Sequence, residues 1–126
     1  MKSSLPLFFL IVLSFGCGPS QQFVAVPPTI DKEKVPRQTV EMTAEHFHFT
    51  PEDLHVSAGT LVMLKITAID GTHGFKFGAF GIDETIEENE TKVIEFYAGE
   101  KGKYGFRCSH FCGIGHLWMT GKVIIE

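Results

Sequence analysis

The chain has 126 residues, which is enough for one domain. Hydrophobic residues make up 44% and aromatic residues 12% of the sequence, and this composition suits a packed core and excludes a disordered polymer. The formal net charge is -4, which excludes the basic footprint of a nucleic-acid-binding protein.

The first segment has the three parts of a secretory signal peptide. Lys2 precedes the apolar run 5–15, and the small residues Gly16, Cys17 and Gly18 follow it. This pattern predicts a signal peptide over residues 1–16 and an exported protein. The apolar run is shorter than the about 20 residues that a bilayer-spanning helix needs.

Cys17 stands where bacterial lipoproteins carry the cysteine that is lipidated after cleavage. The sequence 13–17 (LSFGC) resembles that lipobox, although Leu13 lies four residues before the cysteine rather than three. A lipid there would anchor the protein on the outer face of the cytoplasmic membrane or in the periplasm. It would also explain the odd cysteine count, because Cys108 and Cys112 remain as a pair. Simple cleavage and an uncleaved anchor are the alternatives.

Residues 17–37 are interpreted as the tether of this lipid anchor. They contain Pro19, Pro27, Pro28 and Pro36 and show no sustained period of a strand or a helix. Such a composition is typical of an extended linker. The expected organisation is therefore a signal peptide over 1–16, a tether over 17–37 and one domain over 38–126.

The segment 38–126 carries the signals of short β-strands. They are alternating or β-branched stretches at 39–43, around Phe47 and Phe49, and at 61–69, 92–97, 102–107 and 121–125. Their spacing, with Gly, Asp and Asn between them, predicts an antiparallel β-sandwich. The fold class is therefore expected to be all-β.

Two further features of this segment are expected to lie on the surface. Nothing fixes His46, His48 and His55 on one face, so we interpret them as surface histidines. The acidic run 83–90 lacks the glycine and the ligand spacing of a calcium loop, and we expect it to be a solvated turn.

The residues that carry chemistry are concentrated near the C-terminus. Cys108, Cys112, His116 and Met119 supply two thiols, an imidazole and a thioether, and His73 follows the strongest predicted strand. Soft sulfur ligands together with imidazole favour copper. A zinc site with two cysteines and two histidines and a structural disulfide between the cysteines are the alternatives.

A mononuclear blue-copper site is a further alternative for the same residues. It needs two histidines, one cysteine and a weak axial methionine, which His73, Cys112, His116 and Met119 would supply. Cys108 would then be surplus. A free thiolate four residues from a copper-bound cysteine would be a reactive liability, and its presence therefore favours two metal ions.

His73 followed by the pattern C-x₃-C-x₃-H-x₂-M resembles the CuA domain of cytochrome c oxidase subunit II and of nitrous oxide reductase. The resemblance extends from Gln38 to Glu126 and includes the Gly-Phe after His73 and the segments 80–82 and 102–108. It implies a cupredoxin-like Greek-key β-sandwich with copper at one end.

The resemblance also implies a set of ligands for two copper ions. In chain order they are His73, Cys108, the backbone carbonyl of His110, Cys112, His116 and Met119. The two cysteines would bridge both coppers. His73 and Met119 would complete one copper, and His116 with the His110 carbonyl would complete the other.

The function that follows from the resemblance is the transfer of single electrons. It needs no acid, base or nucleophile, so we do not expect an enzyme by itself, although the chain could serve an oxidase as an electron-entry module. The expected partners are a redox protein such as a cytochrome c and an oxidase or reductase. No nucleic acid or small-molecule substrate is expected. A protein that stores, delivers or senses copper is the alternative.

The chain departs from the family at two places. His110 stands where oxidase subunits usually have Glu. The main-chain carbonyl remains, but the side chain changes at the end of the domain where an oxidase would dock. Residues 47–49 replace the tryptophan-rich segment that receives electrons in many oxidases. Trp118, between two expected ligands, is interpreted either as an exposed electron-entry residue or as a cap on the core.

Overall fold

The computed structural model describes residues 24–126, so the expected signal peptide 1–16, Cys17 and the tether residues up to 23 lie outside the described part. Within that part the chain forms nine strands. They are β1 (Arg37–Glu45), β2 (His48–Thr50), β3 (Asp53–Val56), β4 (Thr60–Ala68), β5 (His73–Phe77), β6 (Ile82–Ile86), β7 (Thr91–Ala98), β8 (Gly102–Arg107) and β9 (Thr120–Ile125). The prediction of an all-β fold is confirmed.

The strands form two sheets, with the orders β2-β1-β4-β7 and β3-β9-β8-β5-β6. Two pairs are parallel, namely β1 with β4 and β3 with β9, and the other pairs are antiparallel. The expected antiparallel β-sandwich therefore differs from the structure only in these two parallel pairs. The physical reason is that β3 belongs to the second sheet, so the chain crosses between sheets and returns with β4 in the direction of β1.

The core lies between the sheets and is rich in phenylalanine. Phe75 and Phe106 lie with ring centroids 5.0 Å apart, and Phe49 meets Phe106 edge to face at 5.2 Å. All three rings are buried, and burying one such side chain contributes about 1.5–3 kcal/mol. Phe75 is two residues after His73 and Phe106 is two residues before Cys108. The core therefore holds both segments that lead into the expected copper site.

The sequence prediction missed three strands, β3, β5 and β6. Residues 83–86 of the acidic run belong to the edge strand β6, so the expectation of a solvated turn holds only for residues 87–90. Ile82 and Ile86 are buried at the two ends of β6, and the residues between them are exposed. Burial of these two isoleucines holds the polar residues between them in the sheet.

The described end of the expected tether contacts the sandwich. The N–H of Tyr97 donates a 2.9 Å hydrogen bond to the carbonyl of Ala25, and Lys32 pairs with Glu95. The carbonyl of Pro36 accepts a 2.8 Å hydrogen bond from the N–H of Leu61. Residues 24–36 thus run alongside β7 and β4.

The described residues, 24–126, contain no helix that could span a bilayer.

Candidate metal centre

The structure brings the expected ligands together at one end of the sandwich. His73 is the first residue of β5, Cys108 directly follows β8, and Met119 directly precedes β9. The loop between β8 and β9 carries Cys112 and ends in a short 3₁₀ turn that starts at His116. The ends of β8 and β9 therefore fix the two ends of the loop between them, and the start of β5 fixes His73.

The two thiols lie side by side. The Sγ atoms of Cys108 and Cys112 are 3.7 Å apart, and both cysteines are free, so the structure does not contain the alternative disulfide. Cys108 is only 1% exposed, and its Sγ lies 3.1 Å from the carbonyl oxygen of His110. The His110 carbonyl, and not its exposed imidazole, thus contacts the pair.

Two further expected donor atoms lie close to the sulfur of Cys112. Its Sγ lies 3.7 Å from Nδ1 of His116 and 3.9 Å from Sδ of Met119. Met119 is fully buried, whereas His116 is half-buried. The thioether therefore approaches the thiols from the core, and the imidazole approaches them from the surface side.

His73 faces the thiols with one ring nitrogen. The ring is completely buried, and Nε2 lies 3.0 Å from Oδ1 of Asp70. The other nitrogen, Nδ1, is buried and has no hydrogen-bond partner. One donor atom each from His73, Cys108 and Cys112 lies within 4.8 Å of the other two. A buried ring nitrogen without a partner is costly unless a ligand occupies it.

These observations fit a copper ion. Two thiols, a thioether and two imidazole nitrogens form a soft donor set, and Nδ1 of His73 is a buried nitrogen without a hydrogen-bond partner. Burial, followed by the neighbouring Cys108 thiol, raises the pKa of Cys112 to about 11. Without metal the Cys112 thiol is therefore protonated at neutral pH, and metal binding must release its proton.

Close backbone contacts hold the ligand loop against β5. The N–H of Gly74 donates a 3.4 Å hydrogen bond to Sγ of Cys108, and a β-carbon at position 74 would collide with Ser109 and His110. The Ser109 hydroxyl donates a 2.6 Å hydrogen bond to Asp83 on β6 and is the main reason why the pKa of Asp83 lies below its ordinary value. Side-chain size at position 74 therefore limits where the loop can lie.

The turn between β1 and β2 covers the other side of the loop. Phe47 packs so closely on Gly113 and Gly115 that a β-carbon at either glycine would collide with its ring. Gly113 also has φ of +136°, which side-chain-bearing residues rarely adopt. Residues 47–49 thus contribute Phe47 to the site as a packing residue.

The sequence interpretation missed Asp70 and the role of His46. The carboxylate of Asp70 accepts hydrogen bonds from the ring of His73 and from the backbone N–H of His46, and its Oδ2 lies 3.1 Å from Nδ1 of the His46 ring. Partial burial raises the pKa of Asp70, but these hydrogen bonds outweigh it and hold the pKa below its ordinary value. His46 is exposed as predicted, whereas its contact with Asp70 was not predicted. The spacing Asp70-x-x-His73 was the available signal.

Four large apolar side chains of the loop between β8 and β9, which also carries the expected ligands, are exposed on the protein surface. Phe111 is 75% exposed, Ile114 90%, Leu117 78% and Trp118 71%. Trp118 is therefore exposed and does not cap the core, and its role as an electron-entry residue stays a prediction. We call these four residues the apolar rim. A concentration of exposed apolar side chains of this kind marks an interaction surface.

The structure is a β-sandwich with a soft donor set at one end. Residues 7–125 match the cupredoxin-like domain family. The chain belongs to this family. The expected cupredoxin-like fold and the resemblance to oxidase subunit II and nitrous oxide reductase are confirmed.

The chain is similar to two proteins of known function and to one solved structure. The chain is 27% identical to cytochrome c oxidase subunit 2 of Thermus thermophilus over 98% of its own length and 82% of that subunit. It is 29% identical to nitrous-oxide reductase of Cupriavidus necator over 70% of its length but only 14% of that enzyme. The periplasmic domain of subunit II of cytochrome oxidase of Bradyrhizobium japonicum has the same fold. Its TM-score is 0.65 at 18% identity, with 70% of this chain and 83% of that domain covered.

Proposed function

We propose that the protein is an electron-transfer protein with a dinuclear CuA-type centre that passes single electrons in a respiratory chain. One observation carries the proposal. The donor atoms of His73, Cys108 and Cys112 lie within 4.8 Å of one another, and the buried Nδ1 of His73 has no partner. Homology to oxidase subunit II and nitrous oxide reductase supports copper as the metal.

The two neighbouring thiols support two copper ions rather than one. Their sulfur atoms are 3.7 Å apart, so both can contact the same pair of metal ions. His73 and Met119 would hold one ion, and His116 with the His110 carbonyl would hold the other. A single ion would leave Cys108, which is buried at 1% exposure, without a role.

The residues of the chain would support electron transfer by staying in place. Copper supplies a reversible one-electron couple when it is bound. Cys108 and Met119 are attached directly to strands, and the Phe75–Phe106 contact fixes the strands that lead to His73 and Cys108. Ligands on rigid elements shift little when the charge of the site changes, and small shifts favour fast transfer.

The apolar rim supports a protein partner rather than a small substrate. Phe111, Ile114, Leu117 and Trp118 lie in the same loop as the proposed ligands and are mostly exposed. The electron donor would be a redox protein such as a cytochrome c, and the acceptor would be an oxidase or reductase. Docking of either protein would exclude water from this face. Signal cleavage and lipidation at Cys17 would hold the protein on the outer face of the membrane, and residues 17–37 would be its tether.

A reductive titration of the copper-loaded full chain tests the proposal. The expected result is two coppers per chain and uptake of one electron per chain, together with electron exchange with a c-type cytochrome. Bound copper that exchanges no electrons would support the alternative of a storage, delivery or sensing protein. One copper and one electron per chain would support the mononuclear alternative, for which the neighbouring Cys112, His116 and Met119 also supply donors.

A further inference from the structure

A short hydrogen-bonded chain lies directly behind the candidate copper ligand His73. Oδ1 of Asp70 lies 3.0 Å from Nε2 of His73, and Oδ2 of Asp70 lies 3.1 Å from Nδ1 of His46. The backbone N–H of His46 also donates to both oxygens of Asp70, at 2.9 and 3.1 Å. The Asp70 carboxylate is therefore held by one residue of the turn between β1 and β2, and its Oδ1 also contacts the candidate ligand.

This arrangement determines which nitrogen of His73 carries the proton. An ionised carboxylate only accepts hydrogen bonds, so Nε2 of His73 must be the donor in the bond to Asp70. A neutral imidazole then has its lone pair on Nδ1, which is buried and has no hydrogen-bond partner, so Nδ1 is the nitrogen left to bind a metal beside the thiols. We propose that Asp70 and His46 are positioning residues that fix His73 in the tautomer and orientation needed for metal binding.

His46 contributes more than its backbone hydrogen bonds to Asp70. Its ring meets the ring of His73 edge to face, with centroids 5.1 Å apart, and so covers the outer side of the Asp70–His73 contact. Gly71 lies beside this ring, and a β-carbon at that position would lie 3.4 Å from Cε1 of His46, which is an ordinary contact distance. The side chain of Asp70 is 40% exposed, and without the His46 ring water could compete for its oxygens.

The inference deepens the proposed function, and its first test does not depend on copper. The test uses the metal-free full chain labelled with ¹⁵N, in which the ring nitrogen shifts of His73 report the tautomer. The parent should show a single tautomer with the proton on Nε2. Asp70→Ala should give a mixture of tautomers, because the acceptor is removed. An unchanged single tautomer in Asp70→Ala would overturn the inference, whatever metal the protein binds.

A second measurement compares copper affinity by competition with a chelator of known affinity. Loss of a residue that orients a metal-binding histidine typically lowers metal affinity about 10–100-fold, and we expect this for Asp70→Ala. His46→Gln should give a smaller loss, because its backbone N–H still holds Asp70. The matched control is His48→Gln, another exposed histidine in the next strand, which should bind copper like the parent.

Comparing His46→Gln with Asp70→Ala distinguishes a loss of positioning from a loss of folding. His46 is on the surface, so His46→Gln should keep the amide NMR spectrum of the folded sandwich. Parent-like copper affinity in both His46→Gln and Asp70→Ala would contradict the positioning role. If the tautomer changes in Asp70→Ala but the parent binds a single copper, the positioning role stands and the dinuclear proposal fails.

Discussion

Gly74 and Cys108 are joined by a hydrogen bond across two strands, from the backbone N–H of Gly74 to the sulfur of Cys108 at 3.4 Å. The contact is possible because residue 74 has no side chain. A β-carbon there would collide with the backbone of Ser109 and His110. The position of the first thiol thus depends on the size of the residue next to the histidine ligand.

Gly74→Ala should therefore displace the ligand loop. Overpacking of a buried position typically costs about 1–3 kcal/mol, and we expect a loss of this size in the free energy of unfolding together with weaker copper binding. Urea unfolding and copper titration measure the two effects. Gly78→Ala is the matched control, because a β-carbon at Gly78 has nothing within 4 Å. Equal behaviour of the two variants would contradict the role of the close contact.

Replacing each cysteine by serine should have different effects. Cys108→Ser leaves Cys112, which has both His116 and Met119 within 3.9 Å, so one copper should stay bound with a changed visible spectrum. Cys112→Ser removes the sulfur between these two ligands and should lose more copper. Metal analysis and absorption spectra distinguish the outcomes. Complete loss of copper in both variants would mean that neither half of the loop binds metal alone.

The metal-free protein should lose stability at alkaline pH. Burial, and then the Cys108 thiol, raises the pKa of Cys112 from 9.0 to about 11, so between these values the folded state retains a proton that the unfolded state has released. Stability is then fully present below pH 9 and falls as the pH rises towards 11. Urea unfolding of the metal-free chain across this range measures the slope. Cys112→Ser should have a shallower slope, and an equal slope would assign the effect to other groups.

Exchange with a protein partner should depend on the apolar rim. Trp118→Ser removes a side chain that is 71% exposed, so unfolding free energy should change by less than about 0.5 kcal/mol. The rate of electron exchange with a c-type cytochrome should fall, while copper content stays the same. Val93→Ser, at an apolar residue on β7 that is 51% exposed, is the control and should keep the parent rate. Parent-like exchange in Trp118→Ser would exclude this side chain from the docking face.

The sequence allowed the all-β class to be predicted because it depends on local pattern, whereas the ligand set was implied by the resemblance of the loop spacing to a known family. Strands such as β4 and β8 have β-branched or alternating stretches, and the spacing of Cys108, Cys112, His116 and Met119 lies within one loop. The strands β5 and β6 were missed because HGFKF contains a glycine and IDETI is polar over most of its length. Only their pairing in the second sheet makes them strands.

Other features depend on contacts between distant segments. The parallel pairing of β1 with β4 follows from where the chain crosses between sheets, which no local pattern encodes. The contact of His46 with Asp70 joins residues 24 positions apart, through a turn and a loop that the sheet brings together. A histidine expected on the surface is indeed exposed, but its neighbours could be identified only in the folded chain.

The hyperfine pattern in the EPR spectrum of the copper-loaded full chain tests the dinuclear centre most directly. One unpaired electron shared equally by two copper nuclei should give a seven-line pattern, because both nuclei split the signal. This is the expected result if Cys108 and Cys112, with sulfur atoms 3.7 Å apart, bridge two ions. A four-line pattern from a single copper nucleus would contradict the dinuclear centre.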